Sequence, residues 1–162
     1  MMIIMDKHLK KYLLANKIDY KIHEHPAVFT VKESKKIIKN KSYFHSKSLF
    51  LRDKNKNFYL VCMPAEKRLD MKNLKEELSL SELHFASPEE LKQELNLTPG
   101  SVSIFGMIYA KNTFLIIDKE LWNAKSAGFH PNINTETLEI SHENLEKFCN
   151  SLKSKKEIMP LE

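Results

Sequence analysis

The 162-residue chain contains very little glycine, cysteine and arginine. Its three glycines leave no glycine-rich loop to cradle a phosphate, and neither G-x-x-x-x-G-K-[ST] nor G-x-G-x-x-G occurs. The G-x-S-x-G and H-E-x-x-H motifs are absent too, which excludes a serine nucleophile elbow and a helical zinc-protease site. These absences remove the commonest nucleotide-binding and hydrolase signatures.

No apolar run approaches the ~20 residues that a membrane-spanning helix needs. The apolar start, residues 1–5, lacks the basic region that begins an export signal, so we predict a cytoplasmic protein with no membrane contact. Cys62 and Cys149 lie inside apolar patterns without the spacing of a zinc site, which suits a reducing compartment and predicts no bound metal.

The net charge is +5, and only Arg52 and Arg68 among the 26 basic residues are arginine. A basic surface favours encounter with polyanions. A general bias of the source genome toward lysine would, however, give the same net charge without any such function. Hydrophobic residues make up 42% and charged residues 29%, which is typical of a globular chain. Without repeats or linkers, the sequence predicts one domain over residues 1–162, of the α/β class with a mixed sheet.

Apolar periodicity and capping residues predict the individual elements. Helices are expected over 6–16, from residue 30 onward, and over 70–78, 87–95 and 141–152. Strands are expected around 20–22, 48–53, 58–63, 83–86, 102–105, 107–110, 113–118 and 135–140, with an irregular loop over 121–134.

The second of these helices begins with a capping box, Thr30–Glu33. One of its faces is apolar, and the other carries lysines at the i, i+3, i+4 and i+7 positions. Clustering on one face favours a phosphate-binding surface over an ordinary solvated face. The lysines of this stripe are Lys32, Lys35, Lys36 and Lys39.

Two further residues stand out as candidates for chemistry. Lys47 directly precedes the most apolar predicted strand, so its ammonium group is expected at the mouth of a sheet, although edge lysines that prevent aggregation are common. His130 lies between Phe129 and Pro131 in the predicted irregular loop, where a stiffened backbone can face a pocket.

Four segments occur in the order and spacing of a known family. They are 25–33 (HPAVFTVKE), 47–53 (KSLFLRD), 98–103 (TPGSVS) and 129–135 (FHPNINT). With them, residues 7–152 resemble the YbaK/ProX-type aminoacyl-tRNA deacylases, and most of all the branch of freestanding prolyl-tRNA editing proteins.

The resemblance implies a fold and an activity. The fold is a compact, mixed and mostly antiparallel sheet or barrel-like core flanked by helices. The activity is hydrolysis, in trans, of the ester between a wrong amino acid and tRNA for proline, with no metal, cofactor or covalent enzyme nucleophile. Alanine is the typical amino acid of this branch, and serine, threonine and cysteine remain candidates.

The resemblance also implies roles for particular residues. Lys47 matches the lysine tied to activity, and the amino-acid pocket is lined by Gly128, Phe129, His130 and Pro131. Thr30 would flank the pocket, and the lysine stripe would follow the tRNA acceptor stem. A transient contact with prolyl-tRNA synthetase is a further expectation.

Two other functions fit the same residues. A catalytically inactive tRNA-binding regulator would keep the lysine stripe and show no turnover. A sensor of free amino acids would bind alanine or proline without RNA.

Overall fold

The computed structural model describes residues 5–24, 43–133 and 135–161. Its helices are α1 (Lys7–Ala15), α2 (Met71–Glu77), α3 (Pro88–Leu95), α4 (Lys119–Trp122) and α5 (His142–Ser151), with a 3-10 helix at Ile104–Tyr109. Its strands are β1 (Lys21–Glu24), β2 (Phe44–Arg52), β3 (Phe58–Pro64), β4 (His84–Phe85), β5 (Thr113–Asp118), β6 (Ser126–Phe129), β7 (Glu136–Ser141) and β8 (Lys156–Met159).

The strands form one mixed sheet in the order β1-β7-β6-β2-β3-β5-β8, with β4 also on β2. Four of the pairings in the described part of the chain are antiparallel and three are parallel, which confirms the predicted α/β class with a mixed sheet. Strand β2 connects its two halves, because its first residues pair with β6 and its whole later part pairs with β3.

Both faces of the central strands are covered. Phe50 belongs to the larger hydrophobic core, whereas Leu51 belongs to a second core on the opposite face, with Leu49 packed against it. A run of three consecutive apolar residues, 49–51, predicts such two-sided burial, since successive side chains of a strand point to opposite faces.

Helix ends with clear capping residues were predicted well. Asp6 caps α1 by accepting from the His8 amide, and Asp70 caps α2 through the amide of Asn73. Ser87 and Glu90 form a complete capping box on α3. Each of these side chains satisfies a backbone donor that the helix itself leaves unpaired.

Three predictions of local structure were wrong. Residues 104–109 form a 3-10 helix in place of two short strands, because a short buried apolar run has the same pattern in a helix and in a strand. The predicted irregular loop contains α4 and β6, so Gly128 and Phe129 lie in a strand. Strand β2 begins at Phe44, which places Lys47 inside the strand and not at its mouth.

Strand β8 was not predicted, because its sequence alternates weakly and it pairs with β5 only through a distant part of the chain. The predicted helix that begins at Thr30 lies outside the described residues. Among the helices that the structure describes, none is long and apolar enough to cross a membrane.

Candidate functional site

The candidate site lies where the beginning of β2 meets β6. The two strands run parallel and pair through Phe44 with Ala127 and through His45 with Gly128. The Ser46 hydroxyl donates to the Gly128 carbonyl at 2.5 Å, which keeps the strands together where the backbone pairing ends. We call this region, residues 43–47 with 127–131, the β2–β6 junction.

Lys47 and His130 lie on the two segments that meet at the junction. Each follows the paired residues His45 and Gly128 by two positions; Lys47 lies within β2, which pairs there with β3, and His130 directly follows the end of β6. Because side chains alternate along a strand, His45 and Lys47 project from the same face of β2. The β2–β6 pairing therefore brings the segments that carry Lys47 and His130 to one end of the sheet.

The Lys47 side chain is half-buried and its ammonium group is held from one side. Its Nζ donates to the backbone carbonyl of Lys67, in the turn that follows β3. Burial lowers the pKa of Lys47. An ammonium group has three N–H donors, and the Lys67 carbonyl is the one acceptor found for it in the described part of the chain, so two donors remain to point at a ligand.

An aromatic layer covers Gly128. A Cβ atom at this position would lie 2.4 Å from Tyr43 Cε2 and 2.7 Å from Thr137 Cγ2, so the tyrosine ring occupies the space that any larger residue would need. The Tyr43 ring lies 5.0 Å from the ring of His23 and 5.1 Å from that of His45. The absence of a side chain at Gly128 therefore allows the Tyr43 ring to pack directly against β6.

His45 is a candidate that the sequence analysis missed. Its Nδ1 is buried and has no hydrogen-bond partner among residues 5–24, 43–133 and 135–161. Burial lowers the pKa of His45 although the charge of Glu66 opposes the shift, which favours the neutral ring. A buried nitrogen without a partner is costly, so a site that retains one is a place where a ligand can supply the missing hydrogen-bond partner.

The segment after β6 is fixed by polar contacts. The Nδ1 atom of His130 lies 3.2 Å from the carbonyl oxygen of Glu136. Asn132, in the left-handed conformation at φ 64°, donates through Nδ2 to Asp6 Oδ2 at 3.3 Å. The same carboxylate oxygen accepts from the hydroxyl of Tyr109 at 2.5 Å, so the segment is tied to the N-terminus of α1.

The predicted pocket residues divide into two groups. Gly128 lies at the junction beside His45, and His130 follows directly after β6. The Phe129 side chain instead packs in the core with its ring centroid 5.8 Å from that of Phe105, and Pro131 is buried. For Phe129, only the backbone is left to contact a substrate.

The remaining predicted site residues lie outside the described part of the chain. They are Thr30 and the lysine stripe, Lys32, Lys35, Lys36 and Lys39. Within the described ranges, no group of three or more His, Cys, Asp or Glu side chains is placed to hold a metal ion.

The nucleophilic side chains near the junction are poorly suited to covalent catalysis. Cys62 faces Ser48 at 3.4 Å, and burial raises the pKa of its thiol to about 12, so the thiolate is not available at neutral pH. The Ser46 hydroxyl is engaged with a backbone carbonyl. A cation, a neutral imidazole and a shaped backbone are what the junction offers, which suits stabilisation of developing negative charge on a substrate that needs no enzyme nucleophile.

Comparison with solved structures shows the class of fold. The chain superposes on a structure described as a candidate trans-editing enzyme for prolyl tRNA synthetase with a TM-score of 0.76 and 17% identity, covering 98% of this chain and 99% of the other. At this identity the likeness establishes the fold alone.

Sequence comparison shows the family. The family model described as "Aminoacyl-tRNA editing domain" matches residues 25–148, and the chain therefore belongs to the aminoacyl-tRNA editing family and is an aminoacyl-tRNA deacylase. It is 37% identical over 151 residues to the Prolyl-tRNA editing protein ProX of Acetoanaerobium sticklandii, covering 88% of this chain and 92% of the relative. It is 28% identical over 146 residues to Prolyl-tRNA synthetase associated domain-containing protein 1 of Danio rerio, covering 88% and 79%. The predicted resemblance is confirmed.

Proposed function

We propose that this protein is a trans-editing hydrolase that removes alanine from mischarged tRNA for proline. The name of the relative from Acetoanaerobium sticklandii supports prolyl-tRNA as the tRNA class. The observation that carries the proposal is the parallel pairing at the β2–β6 junction, which brings together the segments of Lys47 and His130 beside a buried His45 nitrogen that has no hydrogen-bond partner in the described ranges.

The proposed reaction uses water as the nucleophile. Water adds to the ester carbonyl carbon, the bond to the ribose oxygen breaks, and the proton lost by water passes to that leaving oxygen, with a neighbouring tRNA hydroxyl helping to deliver the water. Lys47 supplies positive charge to the oxygen that becomes negative or to the 3′-terminal phosphate. An aminoacyl ester is already reactive, so positioning and charge stabilisation suffice without a catalytic triad or a cofactor.

The amino-acid pocket acts as a second sieve. Gly128, the Phe129 backbone, His130 and Pro131 form one wall, and Thr30 is proposed to flank it. His130 shapes this pocket or contacts the substrate amine. Because one methylene is worth only ~1–3 kcal/mol in a hydrophobic pocket, a synthetase that admits alanine gains accuracy from a hydrolase that excludes the larger proline.

The tRNA itself is proposed to lie along the lysine stripe of residues 32–39. Phosphate contacts from lysine supply affinity that does not depend on sequence and that falls with salt. The net charge of +5 agrees with such a partner. We also propose a cytoplasmic location, which agrees with action on tRNA, and a transient contact there with prolyl-tRNA synthetase that would deliver the mischarged product.

A deacylation panel tests the proposal. We expect tRNA for proline charged with alanine to be hydrolysed fastest, with serine, threonine and cysteine slower and proline spared. If the seryl, threonyl or cysteinyl ester were hydrolysed fastest, that amino acid, and not alanine, would be the substrate. Binding of every charged tRNA with turnover of none would favour the inactive tRNA-binding regulator and contradict a hydrolase.

The titration of Lys47 is expected to differ from that of an exposed lysine. Burial lowers its pKa below the ordinary 10.5, so its positive charge is lost at a lower pH than in a free lysine. Lysine-labelled NMR, with the signal assigned through the Lys47→Arg variant, measures this directly. A midpoint at or above 10.5 would show that the ammonium group is not desolvated at the junction.

Replacing His45 by leucine is expected to separate activity from stability. The change removes a buried nitrogen that lacks a described partner, so the free energy of unfolding should stay the same or rise. Deacylation should slow by roughly 5- to 150-fold, the equivalent of about 1–3 kcal/mol for a buried polar group left unpaired. Thermal melting and single-turnover hydrolysis measure the two effects. An unchanged rate of hydrolysis would show that His45 is not part of the site.

A further inference from the structure

The turn after β3 connects Lys47 to a second lysine. The Lys67 backbone carbonyl accepts the hydrogen bond from Lys47 Nζ. The Lys67 side chain extends to three oxygen acceptors: Asp118 Oδ2 at 2.9 Å, the Leu161 carbonyl at 3.0 Å and Glu120 Oε2 at 3.1 Å. We call Lys67 and these three acceptors the Lys67 clamp.

The turn is fastened to β2 beside the candidate site. The amide of Ala65 donates to the His45 carbonyl at 2.9 Å, and the amide of Lys67 donates to the Pro64 carbonyl at 3.2 Å. The position of the Lys67 carbonyl is therefore fixed in two ways: by the backbone hydrogen bonds of the turn, and by the contacts of the Lys67 side chain in the clamp. Since an ammonium group has three donors, the three acceptors of the clamp satisfy it fully.

The clamp is strong at its buried end. The Asp118 side chain is only 1% exposed, and its other oxygen caps α4 by accepting from the Glu120 amide at 2.9 Å. Burial opposes the charge of Lys67, but the hydrogen bonds and charges of Asp118 and Glu120 outweigh it and raise the pKa of Lys67. Removing the lysine would leave a buried carboxylate without its cation, and the segment would have to rearrange.

We propose that Lys67 is a positioning residue for Lys47. Its side chain fixes the turn whose carbonyl receives the Lys47 ammonium group, and so it determines where the remaining two N–H donors of Lys47 point. Lys67 itself contacts no substrate in this arrangement, because its ammonium group is engaged by the clamp. The inference rests on the proposed function in one respect, that Lys47 is the cation of the site.

The geometry also links the site to the end of the described chain. Leu161 is buried in the second hydrophobic core, and its carbonyl is one of the three acceptors of the clamp. Strand β8 leads into this residue and pairs with β5, which ends at Asp118. The clamp thus joins the end of β5, the residues after β8 and the turn after β3 at one point behind Lys47.

The test compares Lys67→Met with a surface control, Lys72→Met, which removes an exposed lysine from α2. Single-turnover hydrolysis and steady-state kinetics on alanyl-tRNA for proline are measured well below the melting temperature of each variant. We expect Lys67→Met to lower kcat by about 10- to 100-fold with KM unchanged, because a misplacement of about 1 Å is enough for such a loss. The Asp118→Asn variant, which keeps the shape of the clamp and removes its buried charge, should lower kcat in the same direction by less.

A second measurement needs no activity. In lysine-labelled NMR of the free protein, the Lys47 signal should move in Lys67→Met and remain in place in Lys72→Met. If Lys67→Met melts at a lower temperature but keeps both the Lys47 signal and kcat within twofold of the parent, Lys67 is only structural and the inference is overturned. If no charged tRNA is hydrolysed by the parent protein while the Lys47 signal still responds to Lys67, the proposed function fails and the clamp stands.

Discussion

Alanine in place of Lys47 is expected to reduce the hydrolysis of alanyl-tRNA for proline by about 10²- to 10³-fold, the usual cost of losing one donor to a developing oxyanion. The reason is local: Lys47 lies at the β2–β6 junction, and among the described residues only the Lys67 carbonyl accepts from its ammonium group, which leaves two N–H donors. Single-turnover deacylation with purified protein measures the loss. Circular dichroism should show an unchanged fold, because the replaced ammonium group is only half-buried.

The matched control is Lys54→Ala. Lys54 lies in the turn between β2 and β3, is exposed, and carries the same charge as Lys47. If the overall charge of the protein drove the reaction through tRNA binding, both variants would lose activity equally. If Lys47→Ala kept the parent rate, the lysine would have no part in the chemistry.

The second large effect is expected from Gly128→Ala. A methyl group there would enter the space of the Tyr43 ring and of the Thr137 methyl group, at 2.4 Å and 2.7 Å. Forcing extra volume into a packed site costs about 1–3 kcal/mol. Tyr43 belongs to the β2–β6 junction and Thr137 lies beside it on β7, so activity should fall together with the melting temperature.

A double-mutant cycle with Tyr43→Ala checks this cause. Removing the ring opens the nearer of the two contacts, so the penalty of Gly128→Ala should shrink in the Tyr43→Ala background. Additive effects of the two changes would mean that Gly128 is needed for some other reason than the approach of Tyr43.

Elements with local signals were predictable from the sequence. The helices expected from residues 6, 70, 87 and 141 begin there, capped by Asp6, Asp70, Ser87 and Ser141, because a capping side chain and its backbone partner are two or three residues apart. The strands expected at 48–53 and 58–63 also form, as β2 and β3, since their two apolar runs are separated by a short polar turn.

Elements whose stability comes from pairing with distant parts of the chain were not predictable from the sequence. Strand β6 is four residues long and is held by β2 and β7, so its own sequence carries little signal. The start of β2 was missed because His45, Ser46 and Lys47 are polar in a segment that tertiary pairing makes extended.

Only part of the candidate site was predicted, because the site also depends on pairing between distant parts of the chain. Lys47 and His130 were found through motifs, and their segments meet only through a pairing between strands about eighty residues apart in sequence. His45 lies two residues before Lys47 and would have been noticed had the strand been extended to Phe44. The Lys67 clamp joins parts of the chain far apart in sequence, which no local pattern could indicate.

The central claim is that the aminoacyl ester binds at the β2–β6 junction beside Lys47. The most direct test is a crystal structure with a non-hydrolysable analogue, in which alanine is joined to the terminal adenosine by an amide. We expect the analogue at the junction, with Lys47 Nζ in hydrogen-bond contact with its carbonyl oxygen or its phosphate and the alanine methyl group facing the Gly128–Pro131 wall. An analogue bound in a cavity that Lys47 does not reach would contradict the account.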